Sequence, residues 1–600
     1  MDPVIIAGAG PVGLALSLAL ARQEVPSVVL DEGPGKDEQR LARTVVLRED
    51  TAALVERLTG LPLAGAGFRW AGWRSMRRKQ VMREIRFDAA GSSAGALDLD
   101  PDPEVSGSTA RETGSGTAYG VHGAKGSARA LKGSAQGSKG GAPDFTDAEL
   151  SAPLHLTQHT LTTALREAIA HERLIKLAVN SRLVSVEQET SGVTAHTRGS
   201  NGTWWRGSYL VGCDGPRSTV RKLQDIRFPG RTAVERHAVA ALRTELPWPG
   251  EALLHRMPPW RTSGPSAGEV TARPLADDVW RLDWLLPPGK DLVTPDLLVT
   301  RVRETLAGWS GGPTPPYELL DTGVHTVHHR LARRWRSGRV FLAGDAAHLL
   351  GALGTQGLDE GLRDADNLAW KLAVAWHHGP HEALLDSYQV ERRAVVAARL
   401  RAADQALPLL RGGGGLRAYV PGSARGHDVM LTDGHLGRGP LGRPGTYADS
   451  PLAPRPFESE TPVDTAPGAP VVDVRVTAED GTFVPLRDRL GRGVLLVVLI
   501  APGTGVWERK HWVTAGIMPR LAAAVTALPH PAELLVAESY PGAAAHSVLL
   551  VRPDGHLVTA LSGVRPADLY AAAEAALGGP PGVAAESERE ARADNTVRAG

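Results

Sequence analysis

Residues 1–31 carry the pattern that most restricts how this chain can fold. A four-residue apolar run leads into Gly8-x-Gly10-x-x-Gly13, a run of good helix formers follows, and a second apolar run ends at Asp31. A strand, a glycine turn, a helix and a second strand that ends in an acid form a β-α-β unit of the kind that binds dinucleotides. The sequence therefore predicts a dinucleotide site at this turn.

Each glycine of the triplet has its own physical role. Gly8 permits the tight turn, Gly10 lets the backbone approach a pyrophosphate at the helix N-terminus, and Gly13 lets helix and strand pack closely. The carboxylate of Asp31 is expected to accept hydrogen bonds from ribose hydroxyls. Further contacts are expected from three residues that flank the turn and the strand end: Pro11, Val12 and Glu32.

Charge and cysteine content exclude other classes. With 67 basic and 66 acidic residues, the formal net charge is +1, which predicts no binding to nucleic acid or to an anionic membrane. No apolar run is long enough to span a bilayer, and the glycine turn stands where a signal core would lie, so we expect a cytoplasmic protein. Because Cys213 is the single cysteine, disulfide reductases and thiolate metal sites are excluded, and no metal is expected. Cys213 itself is expected to be a buried apolar residue.

Two segments, residues 61–87 and 231–330, contain alternating runs that predict an antiparallel sheet, which we assign to substrate binding. Residues 88–149 between them are dominated by Gly, Ser and Ala without apolar periodicity, which predicts a disordered insertion or a lid over a site. Tryptophans in the two sheet segments either line an aromatic pocket or, as is more common, belong to the core: Trp70, Trp73, Trp248, Trp260, Trp280 and Trp284.

Two later motifs resemble fingerprints of a known family. Residues 210–221 (LVGCDGPRSTVR) resemble the second fingerprint of the class A flavoprotein aromatic hydroxylases, the para-hydroxybenzoate hydroxylase-like monooxygenases, and residues 338–348 (GRVFLAGDAAH) resemble the third. With the glycine triplet, the resemblance covers roughly residues 1–400. It implies an α/β fold in which an antiparallel-sheet substrate domain interleaves with a Rossmann-like FAD-binding domain made of residues 1–60, 150–230 and 331–410.

The C-terminal part follows a Gly- and Pro-rich stretch, residues 411–470, which predicts a linker with local structure. Residues 471–578 resemble the thioredoxin-like domain appended to many of these hydroxylases, among them polyketide-tailoring enzymes. Since this segment lacks cysteine, a structural or interface role is expected rather than redox chemistry. Residues 579–600 are polar and are expected to form a mobile tail.

The resemblance assigns cofactor contacts residue by residue. Asp345, in the motif that contains Gly344, is expected to hold a ribityl hydroxyl of FAD, and Asp31 the adenosine ribose. Arg43 and Gln158 match family positions beside the pyrophosphate and the ribityl chain. An acid in a turn also serves as a cap, and a solvated surface residue is the alternative for Arg43.

Asp214 and Arg217 match a segment that the family uses for both FAD and NAD(P)H, with a turn cap as the alternative for Asp214. His348 is expected to be structural. The sequence points to no general base, so the catalytic residues stay unassigned.

The stretch before a predicted long helix is expected to face the flavin ring. In the family, the start of this helix aims its N–H groups and partial positive charge at the N1–C2=O edge of the ring, and Gly357, Leu358 and Asp359 occupy that position here. The chain departs from the family by having Gly351-Ala352 in place of Pro-Pro and Asp359 in place of Asn. We expect Asp359 to present its backbone N–H and to turn its carboxylate away, as a helix cap does.

The resemblance implies a monooxygenase that takes electrons from NADPH or NADH, bound transiently without a second glycine fingerprint, and uses O2 through a flavin C4a-hydroperoxide to hydroxylate a phenolic or polycyclic aromatic. The Arg-, Ala-, Gly- and Pro-rich composition points to a GC-rich bacterial genome and to tailoring of an antibiotic polyketide. Baeyer–Villiger or ring-cleaving oxygenation on the same scaffold, and a catalytically silent flavin-binding or interaction protein, stay open. The expected partner is a small aromatic molecule, and the expected assembly is a monomer or a homodimer.

Overall fold

The computed structural model describes residues 1–35, 39–87, 151–199, 203–260, 268–286, 293–351, 357–411, 423–437, 439–502 and 517–579. The insertion predicted at residues 88–149 and, apart from Gly579, the tail predicted at 579–600 lie outside the described residues. The elements below belong to the compact unit formed by Met1–Arg86 and the chain from Ala152 onward.

A six-stranded sheet contains the predicted β-α-β unit. Helix α1 (Pro11–Ala21) joins two of its parallel strands, and every residue of these two strands is buried. Parallel strands that are covered on both faces are near-continuous apolar runs, and for this reason the unit could be predicted from the sequence. The strands in spatial order are β18 (Arg336–Ser337), β19 (Val340–Leu342), β12 (Tyr209–Gly212), β1 (Val4–Ala7), β2 (Ser27–Leu30) and β8 (Ile175–Ala178).

An eight-stranded, mostly antiparallel sheet gathers both segments that were predicted as antiparallel. Helix α5 (Pro295–Ser310) packs its apolar side on one face of this sheet. Its strands in spatial order are β20 (His348–Leu349), β17 (Glu318–Leu331), β13 (Gly230–Arg243), β16 (Val279–Leu285), β15 (Glu269–Pro274), β14 (Glu251–Arg256), β5 (Gly72–Arg77) and β6 (Gln80–Arg86).

Two small sheets and several helices complete the N-terminal two thirds of the chain. One sheet contains β3 (Thr44–Leu47), β4 (Phe68–Arg69) and β7 (Leu154–Thr157), and the other contains β9 (Ser181–Gln188), β10 (Val193–Gly199) and β11 (Trp204–Gly207). The helices are α2 (Glu49–Thr59), α3 (Gln158–Ala170), α4 (Thr219–Leu223), α6 (Gly357–His378) and α7 (Glu382–Arg411).

The stretch predicted as a linker contains helices α8 (Ser423–His435) and α9 (Gly439–Gly442). Thr432 of α8 accepts a hydrogen bond from the indole of Trp73 at 3.3 Å, so this stretch packs on the eight-stranded sheet. None of the described helices is both long enough and apolar enough to cross a membrane.

A further six-stranded mixed sheet follows, with helices α10 (Ile517–Thr526) and α11 (Pro566–Ala576). One apolar cluster packs both helices on one face of this sheet, and a second cluster, without residues of these helices, covers the other face, which gives this part a core of its own. The strands in spatial order are β22 (Phe483–Pro485), β21 (Arg475–Ala478), β24 (Ala532–Ala537), β23 (Leu495–Ile500), β25 (Ser547–Val551) and β26 (Leu557–Ser562).

Candidate active site

The glycine turn between β1 and α1 is packed too tightly for side chains at two of its three glycines. A Cβ on Gly8, whose φ is +108°, would lie 2.4 Å from the carbonyl oxygen of Cys213, and a Cβ on Gly13 would lie 2.1 Å from the carbonyl oxygen of Gly8. At Gly10, by contrast, nothing lies within 4 Å of the Cβ position. The turn therefore leaves space beside Gly10, at the N-terminus of α1, for a ligand that approaches the backbone.

This space belongs to a cavity of about 410 Å³, which we call the first cavity. It lies where the glycine turn, the end of β2 and the start of α3 meet. Five of the residues predicted to contact a dinucleotide line it: Gly10, Pro11, Asp31, Arg43 and Gln158.

The carboxylate of Asp31 is fixed by backbone donors on both sides. The N–H of Ala9 donates to one of its oxygens at 2.7 Å, and the N–H of Gly33 donates to the other, also at 2.7 Å. Each oxygen keeps a lone pair for a further hydroxyl donor. The neighbouring Glu32 is exposed and lies 3.6 Å from Arg182, and it does not line the cavity.

A second cavity, of about 370 Å³, is lined on one side by Asp345, Gly351 and Gly357. The Asp345 side chain is exposed to this cavity, and no described residue hydrogen-bonds to it. Burial raises the pKa of its carboxyl, while His348 and Arg43 act in the opposite direction. Because Arg43 also lines the first cavity, the two cavities are neighbours.

The turn that presents Asp345 is held by three residues: Asp364, His348 and Arg221. Asp364 of α6, fully buried, accepts hydrogen bonds from the Gly344 N–H at 3.0 Å and from His348 Nε2 at 2.8 Å. Arg221, also buried, donates to the carbonyl oxygen of Ala346 at 2.9 Å. His348 is thus a structural contact of this turn, as its sequence context predicts.

Val12, on α1, packs against the same turn: a Cβ on Gly344 would lie 3.1 Å from a Val12 methyl carbon, and a Cβ on Gly361 would lie 2.6 Å from it. The predicted contact residue Val12 therefore joins α1 to the Asp345 turn and to α6, and does not line the first cavity.

The Asp214 side chain stabilises the start of a helix. The Asp214 carboxylate accepts the N–H groups of Thr219 at 2.6 Å and Val220 at 3.0 Å and so caps α4. Arg217 is exposed, and neither it nor Asp214 lines either cavity. Cys213 is half-buried against the main core, and burial raises the pKa of its thiol.

The N-terminus of α6 points its first residues at the second cavity. Gly357 lines the cavity, and a Cβ there would lie 3.2 Å from the carbonyl oxygen of Leu350 and 3.7 Å from an Asp345 carboxylate oxygen. Leu358 packs against the main core. Residues 352–356, which include Ala352 of the family's Pro-Pro position, lie outside the described residues.

Asp359 is fully buried, and its carboxylate points away from the second cavity. One oxygen accepts a hydrogen bond from Thr51 Oγ1 at 2.6 Å, and the other lies 3.1 Å from an Arg48 nitrogen. Burial raises the pKa of this carboxyl although Arg48, Arg363 and Thr51 act to lower it. The side chain thus joins α6 to α2 and does not cap α6.

We expect Asp359→Asn to leave the midpoint potential of bound flavin nearly unchanged. A carboxylate facing a reduced anionic flavin at about 5 Å would lower a two-electron potential by roughly 70 mV at an effective dielectric near 20, but this one is paired with Arg48 on the far side. Spectroelectrochemical titration of both proteins measures the difference. A rise of tens of millivolts in the variant would contradict the observed orientation.

The opposite wall of the second cavity is one face of the eight-stranded sheet. Strands β13, β15, β16 and β17 pair in a register that places their odd-numbered residues on this face. These residues are mostly charged or polar, and the even-numbered neighbours form the apolar core against α5. The polar wall consists of Glu235, His237, Glu269, Thr271, Arg273, Arg281, Asp283 and His325.

The tryptophans of these segments take no part in either cavity. Trp280 and Trp284 lie on the even-numbered face and are buried against α5, and Trp70 and Trp73 are buried as well. Trp248 and Trp260 are half-buried and pack on the α5 core. The core interpretation of these six residues was therefore the correct one, and the aromatic-pocket interpretation was wrong for the cavities described here.

Known proteins share both the sequence pattern and the fold. A 12-dehydrotetracycline 5-monooxygenase/anhydrotetracycline 6-monooxygenase from Streptomyces rimosus subsp. rimosus is 34% identical over 287 residues, which are 45% of this chain and 55% of that protein. The chain spans about half the length of the curated relatives that it matches.

Among solved structures, the flavin-dependent monooxygenase PieE, in complex with FAD and substrate, has a TM-score of 0.68 at 20% identity, covering 96% of this chain and 99% of that one. An aklavinone-11 hydroxylase in a ternary complex with FAD and aklavinone has a TM-score of 0.65 at 20% identity, with the same coverage of 96% and 99%. At this identity the likeness concerns the fold, a mixed α/β arrangement with several sheets. The profile of the family described as FAD binding domain matches residues 1–403 of the 600, and the chain therefore belongs to that family.

Proposed function

We propose that the protein is an FAD-dependent monooxygenase that uses NADPH or NADH and O2 to hydroxylate a phenolic or polycyclic aromatic molecule, a polyketide included. The observation that carries the proposal is the second cavity, where Asp345 and the N-terminus of α6 face a separate polar wall. The family membership and the oxygenase relatives support it. The proposal includes a cytoplasmic enzyme that is a monomer or a homodimer.

The described residues fit FAD at both cavities. The backbone at Gly10 is accessible to a pyrophosphate. The Asp31 carboxylate is held in an orientation in which its oxygens can accept hydrogen bonds from ribose hydroxyls. Asp345 is an acid without a described hydrogen-bond partner, and hydroxyl donors of a ribityl chain would satisfy it. Bound FAD supplies the redox chemistry with NAD(P)H and O2, and the protein's part is to orient the ring, exclude water and position the substrate.

The polar wall indicates the substrate class. The charged groups of this wall pair with one another, as Asp283 does with His237 at 2.6 Å and with Arg281 at 3.1 Å, so aromatic rings without polar substituents would displace water from these pairs without replacing its polar contacts. A ring system that carries several hydroxyl or carbonyl groups would offer the wall polar contacts in place of the displaced water. We therefore infer a polyoxygenated aromatic substrate.

The first experiment is on the purified full-length protein. We expect a yellow protein that binds FAD, oxidises NADPH or NADH, and consumes more oxygen when a polyhydroxylated aromatic is added. A product heavier by one oxygen supports oxygenation, and its structure separates hydroxylation from ring insertion or cleavage. A colourless protein that takes up no added FAD would overturn the proposal, and a yellow one that never oxidises NAD(P)H would favour the binding-protein alternative.

We propose, in addition, that the C-terminal sheet is a thioredoxin-like domain with a structural role. In support, β23 runs parallel to β24 and antiparallel to β25, and β25 and β26 form a hairpin, which is the strand arrangement of that fold. The single cysteine of the chain, Cys213, lies outside it. A backbone superposition of an experimental structure of this domain on thioredoxins tests this part.

A further inference from the structure

Two histidines stack on the polar wall of the second cavity. His237 of β13 and His325 of β17 are direct partners across the antiparallel pair. Their ring centroids lie 5.0 Å apart with an angle of 7° between the planes. Both rings line the cavity, so they face the space in which we place the substrate.

Both nitrogens of His237 contact carboxylates. Nδ1 lies 2.6 Å from an Asp283 oxygen and Nε2 lies 3.0 Å from a Glu235 oxygen. An imidazole that faces two carboxylates donates from both nitrogens only when it is protonated. Burial acts to lower the pKa of His237, but Asp283 and Glu235 outweigh it and raise the pKa to about 9.

The two histidines and Asp283 also bring ligand atoms within 4.8 Å of one another, a spacing compatible with a metal ion. A protonated His237 has no lone pair to offer, because both nitrogens carry protons. The geometry therefore favours a hydrogen-bonded cation at His237 over a metal ligand.

His325 differs from His237 because its pKa is lowered rather than raised. Its ring is exposed to the cavity, and no described residue hydrogen-bonds to it. Burial lowers its pKa; Asp283 acts to raise it, but His237, Arg281 and Arg273 lower it further, to about 4. At neutral pH the ring therefore keeps one nitrogen as a hydrogen-bond acceptor.

We propose that His325 recognises a hydroxyl group of the aromatic substrate by accepting its hydrogen bond, and that His237, held between Glu235 and Asp283, is the positioning residue that stacks on it. The inference rests on the proposed function, since it assigns the substrate class to that cavity. The step transfers no proton: the hydroxyl keeps its hydrogen and points it at the His325 lone pair. A hydroxylated ring is thereby oriented against the sheet, on the side opposite Asp345.

The charge state of the stacked pair depends on the groups that surround the cavity. A second protonation at His325 would place a cation 5.0 Å from the His237 cation, which is unfavourable. The groups that line the cavity with the pair are the acids Glu235, Glu269, Asp283 and Asp345 and the bases Arg273, Arg281, His328 and His435.

The recognition step is tested by ligand binding to the FAD-loaded protein. The probe is alizarin, a dihydroxyanthraquinone, and anthraquinone without hydroxyl groups is the matched ligand. We expect His325→Phe, which keeps a ring to stack on His237, to weaken alizarin binding about tenfold while anthraquinone binding is unchanged. His325→Gln, which restores an acceptor, should recover most of the affinity. Equal weakening of both ligands, or of neither, would overturn the proposal.

The positioning role is tested by NMR titration of ring-labelled histidine in His237→Gln. Removing the cation should raise the pKa of His325 by about one unit or more. A ring that titrates at higher pH should therefore appear in this variant and be absent from the double variant with His325→Gln. An unchanged His325 titration would contradict the role of His237. If the parent protein retains FAD and oxidises NAD(P)H while these tests fail, only this inference fails and the proposed function stands.

Discussion

Replacing Gly10 with Ala is expected to leave the flavin-free protein as stable as the parent and to weaken its binding of FAD by about tenfold or more. The backbone of Gly10 has φ −77° and ψ 173°, an extended conformation that any residue adopts, and nothing lies within 4 Å of the added methyl group. The methyl group would instead occupy the space in which a pyrophosphate meets the backbone at the start of α1. The substitution should therefore destabilise the complex with FAD and not the flavin-free protein.

Gly13→Ala is the matched variant, because it acts on the fold itself. Its methyl group would lie 2.1 Å from the Gly8 carbonyl oxygen, a backbone atom that cannot move without disturbing the turn. We expect it to lower the free energy of unfolding of the flavin-free protein by about 3 kcal/mol. Denaturant unfolding of deflavinated protein, and FAD titration followed by fluorescence quenching, separate the two effects. Parent affinity for FAD in Gly10→Ala would contradict the placement of the cofactor at this turn.

The parts of the structure that sequence predicts well are those set by local pattern. The β-α-β unit depends on an apolar period and a glycine turn within residues 1–31, and the structure has it there. The predicted antiparallel runs are strands of the eight-stranded sheet for the same reason.

The parts that sequence analysis missed depend on partners far away in the chain. In β16, the sequence analysis considered Trp280 and Trp284 but not Arg281 and Asp283. Strict alternation along the strand places these two charged residues together on the face opposite the tryptophans. A charged strand face commonly faces solvent, and only the packing of remote segments around it makes it a cavity wall. The same alternation, applied to all four strands, predicts one charged face but not the cavity that this face lines.

Helix α6 gives a second case. Glu360 and Asp364 share a helical stripe with Leu368 and Leu372, and all four are fully buried. An acid within a buried stripe indicates a basic partner, but the sequence does not say which one. The structure supplies Arg392, which contacts both acids at 2.9 and 2.8 Å from a helix farther along the chain.

A related buried network joins α6 and α7 to the C-terminal sheet, and its centre is Glu391. Both of its carboxylate oxygens accept hydrogen bonds from Arg552, at 2.7 and 2.9 Å, and one oxygen also contacts Lys371 at 2.7 Å and Asn367 at 2.8 Å. Arg552 follows β25 directly and also pairs with Asp554 at 2.6 Å. Glu391 and Lys371 have almost no exposed surface. Glu391 is therefore a carboxylate partner of two buried cations, and Arg552 shares it with Asp554.

We expect Glu391→Gln to lower the free energy of unfolding by about 3–5 kcal/mol, because the buried Lys371 loses its carboxylate partner and Arg552 keeps only Asp554. Glu49→Gln is the control: the Glu49–Arg487 pair, at 2.9 Å, also links α2 to the C-terminal part but is exposed, so its loss should cost less than about 1 kcal/mol. Guanidinium unfolding of the three flavin-loaded proteins at pH 7 gives the comparison. Equal stability losses in the two variants would mean that Glu391 does not hold the two parts together.

The pH dependence of this difference has a definite sign. Burial acts to raise the pKa of Glu391, but Arg552 and Lys371 outweigh it and hold the pKa below its usual value of 4.5. A carboxyl with a depressed pKa stabilises the fold above its unfolded-state pKa and loses that contribution as the pH falls below it. The stability gap between the parent and Glu391→Gln should therefore be full at pH 7 and smaller at pH 3, while the small gap for Glu49→Gln stays small. A gap that widens in acid would require Glu391 to be neutral in the folded protein, and the ion pairs with Arg552 and Lys371 would then be absent.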